Sequence, residues 1–556
     1  MPASPAAETI LTNARVLTMD PDRPRAEAVA IAEGRILAVG TRAEIKALAG
    51  QGCEEIDAGG ATVLPGFVES HMHLFPGGAE LDHLQLLGIT GADPLAQAVR
   101  AYADARPDQS LIAAQGADYA ILVDRAVTRA DLDAILPDRP LVLVAADHHT
   151  AWANTVALSA AGILDGRALD PGNEIVMGPD GRAAGELREF QAFGPVLALA
   201  GEERVHLGLV NGLEPDPAPD AAARAHDRML MARGLAHCAR HGITSIVNMD
   251  GNRYQLELLS ELRAEGGLTA RVRIPFHLRG ERPLEVLEQA SRMAAEFNDD
   301  WLASGFVKMF MDGVIDSGTA VRTDDYPGRP GWRGDPLFSA EYFAAACTEI
   351  DRRGLQIAVH AIGCGAVRRT LDGYAAARAA GGPRDARHRI EHIELMHRDD
   401  IPRMAALGTV ASVQPCHVPG ALDFPAFPTL DMVGRNRWRD AFLTGTLAQA
   451  GIPLAFATDW PVADVNPLRC LKAALTRQPF AEDCAEERMG LMASLAAYTT
   501  GGAYAEHTET WKGRLRPGFA ADIAILSADI EATAPEALDT LHVARTITGG
   551  RTVWQA

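Results

Sequence analysis

"PGFVESHMHLF", residues 65–75, places His71 and His73 one residue apart, directly after a run of apolar and small residues. Side chains at positions i and i+2 of a β-strand point to the same face, so the two imidazoles converge if this segment is a strand. A metal ion is the simplest group to bind between them. The alternative is a pair of solvated histidines in a turn, and the remainder of the chain has to distinguish the two interpretations.

The composition argues against several classes of partner. A net charge of −21 over 556 residues disfavours nucleic acid and anionic membrane surfaces, since both bind clustered Lys and Arg. The seven cysteines are scattered without a CxxC pair, which argues against a disulfide framework and a cysteine-based zinc site. Neither a signal peptide nor an apolar window of about 18 residues is visible. We therefore expect a cytoplasmic protein with a small-molecule substrate and no nucleic-acid or membrane partner, and a homodimer stays open.

Both ends of the chain are rich in short strands separated by turns. The segments "TILTNARVLTM" and "AVAIAEGRILAVG" lie near the start, and "ADIAILSADI" and "ARTITGGRTVWQA" lie near the end. We expect residues 1–64 and 510–556 to pair into one composite β-sandwich domain. Two unrelated β-appendages are the alternative.

The centre, residues 65–509, alternates strand-like and helix-like segments, which is typical of a parallel sheet built from βα units. After the first strand we count seven further strand-like segments, at 242–251, 270–280, 303–313, 355–363, 388–395, 408–418 and 452–462. Eight such units favour an α/β fold of the (β/α)₈ TIM-barrel type. An open doubly wound sheet is the alternative, but no GxGxxG follows the first strand.

The stretch between the first and second strands is too long for a loop. Residues 80–230 hold a strand-like "PLVLVAADHH" and a helix-like "AWANTVALSAAG", which predicts an inserted subdomain. The proline-rich segment 211–226 is expected to be its exit linker, because proline at this density does not fit the interior of helices or strands.

Candidate metal ligands recur near the predicted strand ends. In a barrel of this type, catalytic groups sit at the C-terminal ends of the strands. A single donor there would carry no information, but six together indicate a metal centre. The six candidates are His71, His73, Lys308, His360, His392 and Asp459.

An ordered set of motifs resembles the amidohydrolase superfamily, in its amidohydrolase-3 branch with YtcJ-like proteins and N-substituted formamide deformylase. The motifs are "LPGFVESHMH", "DHHTAWAN", "KMFMDGVIDSGTA", "IAVHAIGCGAV", "HRIEHIE", "ASVQPCH", "ATDWPV" and "GRLRPGFAADIAIL", and they span nearly the whole chain. The sequence departs from the pattern at Gly318, where many relatives have arginine, and at Cys364, which we interpret as a packing residue.

The resemblance implies a centre of two divalent metals, commonly zinc. His71, His73 and Asp459 would bind one metal, and His360 and His392 the other. Lys308, carboxylated on its amine, would bridge them, since a free ammonium has no lone pair to donate. A lysine paired with Asp312 or Asp316 is the alternative, and some superfamily members use one metal.

The expected reaction is hydrolysis of an amide or another non-peptide C–N bond of a small molecule. A metal-activated hydroxide would attack the carbonyl carbon. Asp459 would take the proton from the nucleophile and return it to the leaving amine, so Asp459 and the bridging Lys308 are the catalytic candidates. The residues expected to contact substrate are His149, Asp312, His417 and Trp460.

Two other functions stay open. The same site could cleave an ester or lactone, or act in deamination or decarboxylation. A catalytically silent metal-binding regulator is the third hypothesis, and the full ligand set argues against it.

Overall fold

A computed structural model describes residues 6–146, 148–170, 172–201 and 203–556. Strands from both ends of the chain form two neighbouring sheets. One has the order Arg35–Gly40, Ala28–Ala32, Ala7–Thr12, Ala49–Asp57, and the other has the order Arg551–Gln555, Val543–Thr548, Ile523–Leu526, Thr62–Pro65, Arg15–Leu17, Arg25–Ala26.

Apolar side chains from the two terminal sheets form one cluster. Leu11 and Ile31 come from the first sheet, and Val63, Ile523 and Ile547 come from the second. All five are buried. The N-terminal strand Thr62–Pro65 pairs directly with the C-terminal strand Ile523–Leu526, so the two ends of the chain share backbone hydrogen bonds as well as apolar contacts.

The central strands pair in parallel in the order of the sequence, which makes a TIM-barrel-type α/β fold. The third and fourth strands are each broken in two: Pro275 interrupts the third, where it cannot donate to the ladder, and Gly305, with φ of +107°, interrupts the fourth. The strands are Phe67–Met72, Ile243–Asn248, Arg271–Arg273 with Phe276–His277, Leu302–Ala303 with Phe306–Phe310, Gln356–Ala361, Arg389–His392, Val410–Val413 and Leu454–Phe456.

The segment that follows the last strand hydrogen-bonds to the end of the first. The amide of Asp459 donates to the carbonyl of His71 at 3.0 Å, and the amide of His73 donates to the carbonyl of Trp460 at 2.7 Å. These bonds bring the "SHMH" and "TDW" segments side by side, although 388 residues of chain separate His71 from Asp459.

Helices follow most of the central strands. The helices outside the insertion are Arg42–Lys46, Leu74–Glu80, Ala221–Arg240, Arg253–Ala264, Leu287–Glu296, Ala340–Arg352, Cys364–Gly381, Ile401–Leu407, Thr429–Val433, Thr444–Gln449, Pro467–Thr476, Leu491–Ala496 and Gly502–Ala505. None of those that the described residues form combines the length and the apolar character needed to cross a membrane.

The segment between the first and second barrel strands carries a sheet of its own. Its order is Glu174–Met177, Ala183–Arg188, Thr150–Ala153, Leu141–Ala145, Ile112–Ala117, Leu84–Gln85, and its helices are Ala92–Asp104, Arg129–Ile135, Thr155–Ala160, Phe190–Leu197 and Glu203–Val210. In strand Leu141–Ala145, Leu141 and Leu143 pack into one apolar cluster and Val142 and Val144 into another, as expected for a strand covered on both faces.

The predicted exit linker is shorter than residues 211–226. Helix Ala221–Arg240 already begins inside that range, because the side chain of Asp220 accepts a hydrogen bond from the amide of Ala223 and caps the helix. The prolines stop at Pro219, and the alanine-rich stretch that follows favours a helix.

Candidate metal centre

A cavity of about 410 Å³ opens at the C-terminal ends of the central strands. Its wall includes side chains from the first, fifth and sixth strands and from the segment after the eighth. Residues 148 and 149 of the insertion also line it. The predicted ligands on this wall are His71, His73, His360, His392 and Asp459.

His71 is held by a buried ion pair. Its Nδ1 lies 2.7 Å from Glu391 Oε2, and Arg389 donates to the same carboxylate at 2.8 and 3.0 Å. Since a carboxylate only accepts, His71 donates from Nδ1 and keeps the lone pair of Nε2. All three side chains are at most 1% exposed. In metal sites, a hydrogen bond of this kind orients the ligating histidine through its second nitrogen, so the surroundings of His71 are those that a metal ligand requires.

His73 has the same kind of support from the segment that follows the second barrel strand. Its Nδ1 lies 2.5 Å from Asp250 Oδ1. Burial alone would lower the pKa of His73, but the carboxylates of Asp250 and Asp459 outweigh it and raise that pKa to about 9. Nε2 of His71 and Nε2 of His73 lie 3.3 and 3.2 Å from Asp459 Oδ1, so three potential ligands converge.

The backbone at two of these positions is unusual for residues with side chains. Asp459 has φ of +63° and His392 has φ of +78°, a region that mainly glycine adopts. Such conformations cost free energy and persist where the surrounding structure enforces them, commonly at functional sites. Here they place the Asp459 carboxylate and the His392 imidazole on the cavity wall.

The other histidines cluster around His392. The ring centroids of His360 and His392 are 4.5 Å apart, and His392 Nδ1 lies 2.9 Å from the side-chain oxygen of Gln414. Ligand atoms of His392, His417 and Asp459 all lie within 4.8 Å of one another. The structure therefore gathers His417, which we predicted as a substrate contact, with two predicted ligands.

Lys308 is fully buried in the fourth strand, and its amine makes no hydrogen bond within the described part of the chain. Burial lowers its pKa to about 8. The alternative partners are used elsewhere: Asp312 accepts from the amides of Val321, Ile362 and Gly363, and Asp316 accepts from Thr429. An orphaned buried amine beside converging histidines fits a lysine that is carboxylated and binds metal.

Three of the four predicted substrate contacts line the cavity: His149, Asp312 and His417. His149 Nδ1 lies 2.9 Å from Glu189 Oε2, which holds the ring in place. Trp460 is different. Its indole packs against Gly77, where an added Cβ would come within 2.4 Å of the ring. The ring centroids of Trp460 and His237 are 5.3 Å apart. The large apolar side chain is buried on helix Leu74–Glu80, and only its backbone supports the site.

Sequence reasoning missed the residues that support the histidines. Arg389 and Glu391 carried a detectable signal, because two opposite charges stand at positions i and i+2 of a predicted strand and therefore point to the same face. Asp250 and Glu189 carried no local signal, since their partners lie 177 and 40 residues away.

The chain is similar to several known proteins. A family model described as "Amidohydrolase family" matches residues 54–554. Protein LONG AFTER FAR-RED 3 of Arabidopsis thaliana is 30% identical over 95% of this chain and 88% of its own length. The putative amidohydrolase YtcJ of Bacillus subtilis is 27% identical, over 97% and 98% of the two chains. N-substituted formamide deformylase of Arthrobacter pascens is 25% identical, over 98% and 97%.

A solved structure shares the fold. It is described as an uncharacterized metal-dependent hydrolase from Pyrococcus horikoshii OT3, and it matches with a TM-score of 0.71 at 22% identity, over 98% of this chain and 99% of that chain.

Proposed function

The chain belongs to the amidohydrolase family, and from this premise we propose that it is a metal-dependent hydrolase that cleaves an amide or another non-peptide C–N bond of a small molecule. The observation that carries the proposal is the convergence of His71, His73 and Asp459 on the wall of a cavity of about 410 Å³. N-substituted formamide deformylase, whose name denotes cleavage of an amide, supports the choice of bond.

We propose that the centre holds two divalent metals and that these are zinc ions, since imidazole and carboxylate are among the usual ligands of zinc. His71, His73 and Asp459 would hold one ion, and His360 and His392 the other. Lys308 would join the two as a carbamate. A bound metal supplies Lewis acidity, which activates water at neutral pH and polarises a carbonyl group.

Burial prepares Lys308 for carboxylation. Only a neutral amine attacks carbon dioxide, and with a pKa of about 8 roughly a tenth of the amines are neutral at pH 7. A lysine with its ordinary pKa would be neutral in far less than a hundredth of the molecules. The fold therefore increases the fraction of Lys308 that is neutral and able to react.

Asp459 is suited to move the proton. Its carboxylate faces the cavity, and His71 and His73 lower its pKa in spite of burial, so that it is ionised and able to act as a base. It accepts the proton that water loses when the C–O bond forms. It then donates this proton to the nitrogen as the C–N bond breaks, because an unprotonated amide nitrogen leaves poorly.

Two side chains of the cavity wall are proposed to orient the substrate. His149 is fixed by Glu189, and its ring centroid lies 5.9 Å from that of His360. His417 is fixed through Nε2, which lies 3.1 Å from the carbonyl of Thr458. Both residues line the cavity and neither is one of the six predicted metal ligands, so both are available to contact a substrate.

A substrate screen tests the proposal. Zinc-reconstituted and metal-stripped protein would be assayed against matched N-formyl compounds, N-acyl compounds and esters. We expect metal-dependent cleavage of one amide series. Cleavage of esters alone would redirect the proposal to ester chemistry, and equal activity of stripped and loaded protein would contradict it. His71→Ala, which removes a ligand, and His226→Ala, which lies outside the cavity wall, form a matched pair of histidine variants.

The predicted domain organisation is also a proposal. We propose that the two terminal sheets act as one β-sandwich domain and that the central strands close into a barrel along the hydrogen bonds between His71, His73 and the segment after the last strand. Residues 80–230 would then form a subdomain that covers the cavity. We further propose a cytoplasmic location, with a small molecule as the partner.

A further inference from the structure

Arg279 lies on the cavity wall, two residues beyond the second half of the third barrel strand, Phe276–His277. The amide of the preceding residue, Leu278, donates to the carbonyl of Lys308 at 3.0 Å. Arg279 is thus anchored beside the strand that carries the proposed bridging lysine. Arg279 is not one of the proposed metal ligands, and the proposed mechanism gives it no role.

The guanidinium of Arg279 makes no hydrogen bond and no ion pair with any residue that the structure describes. Arg188, another arginine of the same wall, lies 2.6 Å from Glu174 and 2.7 Å from Glu186. Five donors of a guanidinium without an acceptor are costly in a partly enclosed site. Burial accordingly lowers the pKa of Arg279.

The carboxylates that act on Arg279 from a distance already have partners. They are Glu189 and Asp170. Oε2 of Glu189 lies 2.9 Å from Nδ1 of His149, and Oε1 of Glu189 accepts a hydrogen bond from the hydroxyl of Thr319 at 3.1 Å. Asp170 accepts from the side-chain amide of Gln191 at 2.6 Å. Neither carboxylate forms an ion pair with Arg279 in the described part of the chain.

One aromatic ring separates Arg279 from the proposed metal centre. Cζ of Arg279 lies 5.8 Å from the ring centroid of Phe310, and Nζ of Lys308 lies 4.6 Å from the same centroid. The ring of His360 stacks on Phe310 at 4.8 Å. Arg279, Phe310 and His360 all line the cavity, so a small molecule with its reacting carbonyl beside His360 can extend past Phe310 to the guanidinium.

We propose that Arg279 binds a carboxylate group of the substrate, so that this site takes small amides with an anionic end. A guanidinium offers two parallel N–H donors that match the two oxygens of a carboxylate. The proposal rests on the proposed function for the reaction, whereas the binding site itself stands on the free guanidinium in the cavity.

Binding measurements on matched pairs of ligands test whether Arg279 binds a carboxylate. The probes are a series of N-acylglycines and the corresponding N-acylglycinamides, which differ only in the terminal group, an anionic carboxylate in the first and an uncharged carboxamide in the second. Titration calorimetry would compare them on the wild type, with and without zinc. Since a charge-assisted hydrogen bond stabilises a complex by an amount equivalent to roughly 10- to 100-fold in affinity, we expect a preference of this size for the acylglycines.

Three variants test whether Arg279 causes the preference for the acylglycines. Arg279→Gln should reduce it to near unity, and Arg279→Lys should keep a part of it, because lysine retains the charge without the paired donors. Arg282→Gln is the matched control, since Arg282 lies three residues further along the chain and outside the cavity wall. It should retain the full preference, and circular dichroism would verify that each variant is folded.

Equal binding of both series to the wild type, no binding of any acylglycine, or a preference that survives Arg279→Gln would overturn the proposal. Carboxylate binding through Arg279 without hydrolysis of any probe would support the binding site and contradict the proposed function. Hydrolysis of amides without a carboxylate preference would support the proposed function and overturn the role of Arg279.

Discussion

Methionine in place of Lys308 removes an amine that the fold buries without a partner. Lowering the pKa from its ordinary 10.5 to about 8 means that folding disfavours the charged amine by about 3 kcal/mol, since each pH unit corresponds to about 1.4 kcal/mol. Methionine has a similar length and no charge. Metal-free Lys308→Met protein should therefore be more stable than the metal-free wild type by up to about 3 kcal/mol.

The gain in stability should depend on pH. Below pH 8 the lysine is charged in both the folded and the unfolded chain, so the wild type carries the full penalty. Between about pH 8 and pH 10.5 the folded lysine is neutral while the unfolded one is still charged, and the penalty shrinks. The advantage of Lys308→Met should thus be largest below pH 8 and vanish toward pH 10.5.

Lys512→Met is the matched control. Lys512 is also buried, but its amine donates to Glu506 at 2.7 Å and to Ser245 at 2.8 Å. Its removal leaves the buried carboxylate of Glu506 without its ion-pair partner, which should destabilise the protein by about 3–5 kcal/mol. Burial lowers the pKa of both lysines, so the two substitutions differ in the partner that each amine leaves behind, and we expect opposite signs.

Urea denaturation of metal-stripped protein in buffer free of carbon dioxide measures both variants, and elemental analysis measures their metal content after reconstitution. We expect Lys308→Met to gain stability without metal and to lose metal binding. A loss of stability like that of Lys512→Met would show that the amine of Lys308 has a structural partner and would refute the reasoning.

Three further outcomes are expected. Asp459→Asn should lower turnover of an amide by about 10²–10⁴ with a smaller effect on an activated aryl ester, whose leaving group needs no proton; equal losses with metal retained would exclude proton delivery. Glu391→Gln should weaken metal affinity about 10- to 100-fold, because it disturbs the support of His71, and equilibrium dialysis against zinc measures this. Reconstituted protein should contain about two zinc ions per chain, and a chelator should abolish hydrolysis until zinc is restored; full turnover without bound metal would contradict the centre.

Much of this architecture could be read from local patterns. Each of the eight strand-like segments of the centre contains a strand, because β-branched and apolar residues between glycines and charged helices specify strands locally. The candidate ligands could be read as well, since their chemistry is unusual for buried strand ends. The broken third and fourth strands follow from Pro275 and Gly305, although their pattern alone resembled continuous strands.

The sequence by itself determined the kinds of residue in the strands and just after them: the histidine pair at 71 and 73, the lysine at 308 and the aspartate at 459. Only the tertiary structure decided their partners. Glu391 supports His71 across 320 residues, and Arg279 stays without a partner although two carboxylates are nearby. The physical reason is the separation along the chain of the residues that interact. Strand formation depends on neighbours along the chain, whereas an ion pair depends on which strands lie side by side and on which acceptors have already been used.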